Sequence, residues 1–250
     1  SLAEEIFRIM IKDAEVRVRK ALARNLKQTP LLPHDVALTL ARDVDAVALP
    51  ILQFSEILSD SDLVDIIGDG PDSIEKQRAI ATRGTVSEAV SSALVDAGHE
   101  DVLVELIGND GAEISEKSLQ KVVDDFGQNE RIQKPIISRN HLPITIAERM
   151  VTLVSDRLRG ELVSRGHLPE GIVNAVMTQS QESATIGLLG DDSESRDVEI
   201  LVEHLYVNNR LTGGLILRAL CMGDISFFEA GIARRAGVSL INTRVLIHDS

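Results

Sequence analysis

Apolar residues recur at intervals of three and four along most of the chain, as in the stretch from Leu94 to Leu106. This spacing matches the 3.6-residue period of an α-helix, whereas the two-residue alternation of a half-buried strand is rare here. The aromatic content of 2% also removes many of the side chains that stabilise strand pairs. The pattern therefore predicts an all-α protein whose helices are separated by short turns.

A short motif returns along the chain, in which an aliphatic residue is followed by Ser, Thr or Pro and then by a new helical pattern. The aliphatic members of the eight motifs are Leu32, Leu58, Val86, Ile114, Leu142, Leu168, Leu211 and Val238. Six of the seven intervals are 26–28 residues, and the interval from Leu168 to Leu211 is 43. Ser and Thr are preferred N-caps and Pro suits the first helical turn, so each motif predicts a helix start.

Apolar residues also stand six positions before and eight positions after nearly every motif. A repeat of this length predicts two short helices per unit, and neighbouring units must stack to bury their apolar faces. We therefore predict a single domain over residues 1–250, an α-solenoid of about eight two-helix repeats. The long interval predicts a mobile acidic insertion at residues 178–197, and the alternative is a division into 1–177 and 198–250.

Charge and composition exclude several classes of function. The chain has 39 acidic residues against 26 Lys and Arg, and its net charge of −13 makes binding to nucleic acid or to an anionic membrane unfavourable. No apolar run reaches the roughly 18 residues needed to cross a bilayer. The first residues carry no signal-peptide pattern, so we predict a cytoplasmic protein.

No cluster of residues predicts catalysis. The sequence has no H-E-x-x-H motif and no His pair at i, i+4, and Cys221 lies among apolar residues as a buried thiol would. We therefore predict that the protein is not an enzyme and has no metal or cofactor.

Four arginines are the strongest candidates for a binding surface, because each stands three residues before the aliphatic member of a motif. They are Arg83, Arg139, Arg165 and Arg235. In stacked repeats they would form a ladder facing an acidic peptide or a phosphate. The alternative is that they stabilise helix C-termini and pair with acids of neighbouring repeats. Phe54 and Tyr206 are candidate interface anchors, with burial in the core as the alternative.

Several stretches resemble known repeat proteins. Residues 13–22 are similar to the Asp…Val-Arg…Ala-Leu pattern of HEAT-type repeats. Residues 40–52, 78–83 and 138–143, with an echo of the last at 164–169, resemble a bacterial family of unknown function, number 2336. The resemblance spans most of residues 13–177, and it implies a HEAT-like superhelical fold with no established activity. Members of this family are often longer.

The leading functional hypothesis is a non-catalytic scaffold that binds a protein or peptide on a curved helical surface. One alternative is a nucleic-acid-binding solenoid, for which the basic face would be the helix containing Arg17, Arg19, Lys20, Arg24 and Lys27. Another is a small-molecule sensor or enzyme built around residues 178–197. The last helix is apolar on more than one side, which predicts self-association through this helix.

Overall fold

The computed structural model of the chain describes residues 2–12, 15–69, 74–166, 168–190 and 195–248. The chain forms two compact units, residues 1–140 and residues 141–250. Apart from one isolated β-bridge, every regular element of the described residues is a helix. The prediction of an all-α protein is confirmed. The boundary between the units follows Asn140 and does not fall in residues 178–197, where the sequence suggested the alternative division.

The first unit consists of short helices that stack in two rows. Its described helices are α1 (Leu2–Met10), α2 (Val16–Leu26), α3 (His34–Ala41), α4 (Asp45–Phe54), α5 (Asp60–Gly68), α6 (Ile74–Ala81), α7 (Glu88–Ala97), α8 (Glu100–Gly108), α9 (Glu116–Phe126) and α10 (Glu130–Ile137). Helices α2, α4, α6, α8 and α10 each pack on the next of the series, and α5, α7 and α9 form a second row. Within each row, a helix therefore contacts its counterpart in the neighbouring repeat.

The eight motifs all lie where a helix begins, as the sequence predicts. The hydroxyl groups of Ser59, Ser87 and Ser115 accept hydrogen bonds from backbone N–H groups in the first turns of α5, α7 and α9, at 3.3–3.4 Å. Pro stands at the N-cap itself at positions 33, 143 and 169, one residue before its predicted place. Ser and Thr thus start helices because their hydroxyl groups accept hydrogen bonds from the first backbone N–H groups. Pro can stand at the N-cap because it has no N–H group that needs a partner.

In three successive repeats of the first unit, a side chain holds the C-terminal end of the corresponding helix in the repeat before it. The Arg83 guanidinium follows α6 and donates to the backbone carbonyls of Leu52 and Ser55 at the end of α4. The Arg139 guanidinium follows α10 and donates to the carbonyls of Ile107, at 2.8 Å, and Ala112, at 2.9 Å, around the end of α8. The last carbonyls of a helix have no hydrogen-bond partner inside it. The two guanidinium groups supply donors for carbonyl groups that folding removes from water.

Between these two arginines the same role falls to Asn109. Its side-chain amide follows α8 and donates to the carbonyls of Ala81 and Arg83 at the end of α6, at 2.8 and 2.7 Å. Gly111 occupies the repeat position that Arg83 and Arg139 hold elsewhere, and a Cβ atom there would lie 2.0 Å from the Gly84 carbonyl oxygen. The backbones meet at this point in the bridge between Val86 and Ala112, so no side chain fits.

The second unit consists of six described helices with a similar order of packing. They are α11 (Ile144–Arg165), α12 (Glu170–Gly187), α13 (Ser195–Val207), α14 (Gly213–Met222), α15 (Ile225–Ala236) and α16 (Leu240–His248). Helix α11 packs on α13 and α13 on α15, while α12 packs on α14. The fully buried Phe227 lies in the core between α13, α14 and α15.

Two features of the second unit differ from the predicted repeats. The interval from Leu142 to Leu168 holds the single 22-residue helix α11 in place of two short helices, because no Pro or Asn interrupts it and Gly160 alone does not end a helix. Residues 178–187, expected in a mobile insertion, form the end of α12 and bury Thr185 and Ile186. The acidic residues 191–194 of the same stretch lie outside the described residues.

We predict that replacing Arg139 by Met lowers the free energy of unfolding by about 2 kcal/mol, because it removes charged donors from two helix-end carbonyls. Urea unfolding followed by circular dichroism measures this difference. Arg165 is the matched control, because it holds the same repeat position but is exposed. Arg165→Met should change stability by less than about 0.5 kcal/mol. Equal losses in the two variants would contradict this role for Arg139.

Candidate binding cleft

The turn between α13 and α14 has a fixed backbone geometry. Asn209 takes the left-handed conformation, with φ of 57°, that its position two residues before Leu211 suggests. The N–H groups of Arg210 and Leu211 donate to the Leu205 carbonyl at 2.7 and 3.1 Å, which closes the end of α13. Thr212 then caps α14 by accepting from the N–H of residue 215 at 3.1 Å. This turn buries Leu211 and leaves the end of α13 accessible.

A buried carboxylate on α11 anchors this turn. Glu148 is almost fully buried, and its carboxylate accepts hydrogen bonds from the Arg210 guanidinium, from the His204 Nε2 at 3.2 Å and from the Thr152 hydroxyl at 3.2 Å. Gln181 of α12 donates to the same Thr152 hydroxyl at 3.3 Å. Helices α11, α12 and α13 and the turn are therefore tied together by one polar cluster.

The cluster keeps Glu148 ionised. Burial alone would raise the pKa of this carboxyl, but the hydrogen bond from His204 and the positive charge of Arg210 outweigh burial and lower the pKa below its ordinary value of 4.5. A buried carboxylate is tolerated only where such partners compensate for its lost hydration. The position of the turn thus depends on the charge of Glu148.

A cleft of about 490 Å³ opens beside this turn. It is lined by Tyr206, Val207, Asn209, Leu211, Thr212 and Arg235. Arg235 lies in the last turn of α15, and its Nη1 donates to the Leu211 carbonyl at 3.3 Å. A second groove of about 410 Å³ shares Arg235 and runs along α14 and α15 past Leu217, Phe228 and Ile232. Arg235 therefore stands where two apolar depressions meet.

The rims of both depressions carry exposed apolar side chains and positive charge. Val207 and Leu217 are 65% and 60% exposed. The Arg234 guanidinium lies over the Tyr206 ring, 3.9 Å from its centroid, and pairs with the Glu203 carboxylate at 2.5 and 2.9 Å. The surface combines apolar contact area with arginine donors, which are the groups that contribute most to protein–protein binding.

The other predicted binding residues lie elsewhere. Arg83 and Arg139 are partly buried in the first unit and donate to backbone carbonyls, so a ligand could bind them only by displacing these bonds. Phe54 also belongs to the first unit, where the Lys27 ammonium lies 3.7 Å from its ring centroid. Arg165 is exposed at the end of α11. Of the predicted set, Tyr206 and Arg235 are the two that line a common cleft.

Three further observations bear on the alternatives. In the basic helix α2, which the nucleic-acid alternative requires, the Arg19 guanidinium forms an ion pair with the Asp43 carboxylate at 2.5 Å. A cleft of about 400 Å³ is lined by residues of α12, α13 and α15, among them Ile186 and Ile225, and this is where a small-molecule site near the expected insertion would lie. Cys221 is exposed, so the expectation of a buried thiol is wrong, because α14 turns this position away from its core residues Ile216 and Ala219.

Sequence reasoning missed Glu148, Arg210 and Arg234. An acidic residue between the apolar positions Ile146 and Met150 of a helix is a signal for Glu148, because such a residue needs buried partners. The partners themselves come from another helix and a turn, which the sequence does not place.

Comparison with known families places the chain in one of them. Residues 47–250 match the model of a family described as an uncharacterised protein conserved in bacteria, DUF2336, and the chain belongs to this family. The match continues through the C-terminal residues beyond 177, which the sequence analysis had related to the family only by the repeat. Neither a curated protein nor a solved structure matches the chain. Within the described part of the chain, no helix is long and apolar enough to span a bilayer.

We predict that Glu148→Gln lowers the free energy of unfolding at pH 7 by about 3 kcal/mol, because Arg210 and His204 lose a buried charged partner. The folded pKa of Glu148 is lowered, so its contribution is complete above about pH 4.5 and is lost as the pH falls through the folded value. The difference in melting temperature between the variant and the wild type should therefore shrink as the pH is lowered below about 4.5. Glu203→Gln, at an exposed ion pair, is the control and should have far less effect. A constant difference at all pH values would contradict the role of the charge.

Proposed function

We propose that this protein is a non-catalytic scaffold that binds a protein or peptide partner, and that the cleft at Tyr206 and Arg235 is the binding surface. The observation that carries the proposal is the exposed apolar rim, with Val207 and Leu217, around the Arg235 guanidinium. Solvent-exposed apolar side chains grouped around a cleft are typical of sites that bind another molecule.

The chemistry of the cleft favours a partner segment with apolar residues next to an acidic one. Arg235 is exposed and donates one hydrogen bond, at 3.3 Å, to the Leu211 carbonyl. Its remaining N–H groups can donate to a carboxylate, as arginine does at many interfaces. The chain carries a net charge of −13, and Arg235 places a positive charge in the lining of this cleft.

We also propose that the repeats are HEAT-like and that their stacked rows form a solenoid within each unit. The row from α2 to α10 supports this, because each helix contacts its counterpart in the next repeat. Stacked repeats of this kind present extended surfaces that suit protein binding better than catalysis. The cytoplasmic location remains a prediction from the sequence.

A peptide-display selection against the purified chain tests the proposed function. We expect the enriched peptides to carry two or three apolar residues with a neighbouring Asp or Glu. Val207→Asp and Leu217→Asp should weaken their binding at least tenfold, since they place a carboxylate on the apolar rim. Leu31→Asp is the matched control, because Leu31 is 78% exposed in the first unit.

Two results would contradict the proposed function. One is a selection that enriches no sequence class. The other is an enriched class whose affinity is unchanged by both cleft variants but is reduced by the Leu31 control.

A further inference from the structure

The helices α11 and α12 pair to form a hairpin that differs from the rest of the molecule in length. They have 22 and 18 residues, whereas the other described helices have 8–13. We call residues 156–180 the hairpin tip. Of the described side chains of the tip, Val173 and Met177 are the buried ones. The tip is therefore a pair of helices with a very small internal core.

The hairpin tip exposes apolar side chains on both of its helices. Leu168, Ile172 and Val176 follow each other at intervals of four residues and are 49%, 52% and 54% exposed. The exposed apolar residues of α11 are Leu158, Leu162 and Val163. A spacing of four residues places Ile172 and Val176 on one side of α12, and Leu168, which precedes the N-cap Pro169, continues this apolar stripe along the chain.

Residues of the hairpin tip occupy repeat positions that are buried in the core of the first unit. Leu162, Leu168 and Val176 hold the three repeat positions that are occupied by Leu52, Leu58 and Ile66 in the first unit. Those three residues are almost completely buried, and so are the equivalent residues Ile80, Val86 and Leu94 of the next repeat. The hairpin tip thus carries a core-forming pattern, but these three side chains remain 39%, 49% and 54% exposed. A helix face of this kind is usually covered by a partner.

The charges of the hairpin tip identify the partner that fits it. Residues 156–180 contain three acidic residues, Asp156, Glu161 and Glu170, and three arginines, Arg157, Arg159 and Arg165. The tip therefore has no net charge, although the whole chain carries −13. Two copies repel each other over most of their surface, but contact at the tip adds no net repulsion. Asp156 and Arg159 pair with each other within the tip at 3.4 Å, and charges of both signs can also pair across a two-fold axis with those of a second copy.

We propose that the hairpin tip is a self-association surface through which two copies of the chain pair around a two-fold axis. The two hairpins would then form a four-helix arrangement that covers the apolar stripe. This inference does not depend on the proposed function, because the cleft at Arg235 lies on α13, α14 and α15. The proposed surface also differs from the C-terminal helix, through which the sequence predicts self-association.

Sedimentation equilibrium of the full chain over a range of concentrations tests this proposal. We expect the wild type to approach twice the chain mass of 27.2 kDa at high concentration. Ile172→Asp with Val176→Asp should remain at the mass of one chain at every concentration. Its circular dichroism spectrum at low concentration should match that of the wild type, because both side chains are more than half exposed. Ile241→Asp is the control, because Ile241 is a 74% exposed apolar residue of α16.

A pair of charge variants tests whether charges at the hairpin tip pair with those of a second copy, and it leaves the apolar side chains unchanged. One variant replaces the three tip arginines by Glu, and the other replaces the three tip acids by Lys. Each variant alone should stay monomeric through like-charge repulsion, and an equimolar mixture should recover the dimer.

The proposal is overturned if the wild type is monomeric throughout, if the dimer survives the Ile172 and Val176 changes, if Ile241→Asp abolishes it, or if the mixed charge variants do not associate.

Discussion

The carbonyl groups at the end of a helix need donors from outside that helix, and here the next repeat supplies them. Arg83, Asn109 and Arg139 each reach back to the end of the corresponding helix one repeat earlier. The apolar faces could slide over one another, because hydrophobic contact is not directional. The side-chain caps have defined donors and acceptors, so they fix the register in which neighbouring repeats stack.

The same repeat position has a different setting in the second unit. Arg235 is exposed and donates a single hydrogen bond, at 3.3 Å, to the Leu211 carbonyl just before α14, whereas Arg83 and Arg139 reach the ends of earlier helices. The buried Glu148 holds the other side of the turn through Arg210 and His204. One repeated residue position thus supplies helix caps in the first unit and lines a cleft in the second.

Local signals in the sequence predicted local structure well. The eight motifs mark helix starts because Ser, Thr and Pro act on the backbone within one turn. The apolar period also predicted the buried residues of the first unit, such as Leu52 and Ile66. It could not predict which side chains stay exposed, because Leu162 and Val176 have the same pattern but remain 39% and 54% exposed. The buried partners of Glu148 were equally out of reach, since His204 and Arg210 are about 60 residues away along the chain.

Native-state hydrogen exchange of the Arg83→Met variant tests most directly whether repeats are coupled through their neighbours. The coupling described here predicts faster exchange in α4 and α6, where the bonds to the Leu52 and Ser55 carbonyls are lost. It also predicts unchanged protection in α9 and α10, which do not contact the site of the change. A uniform loss of protection across all described helices of residues 15–140 would contradict neighbour-by-neighbour coupling.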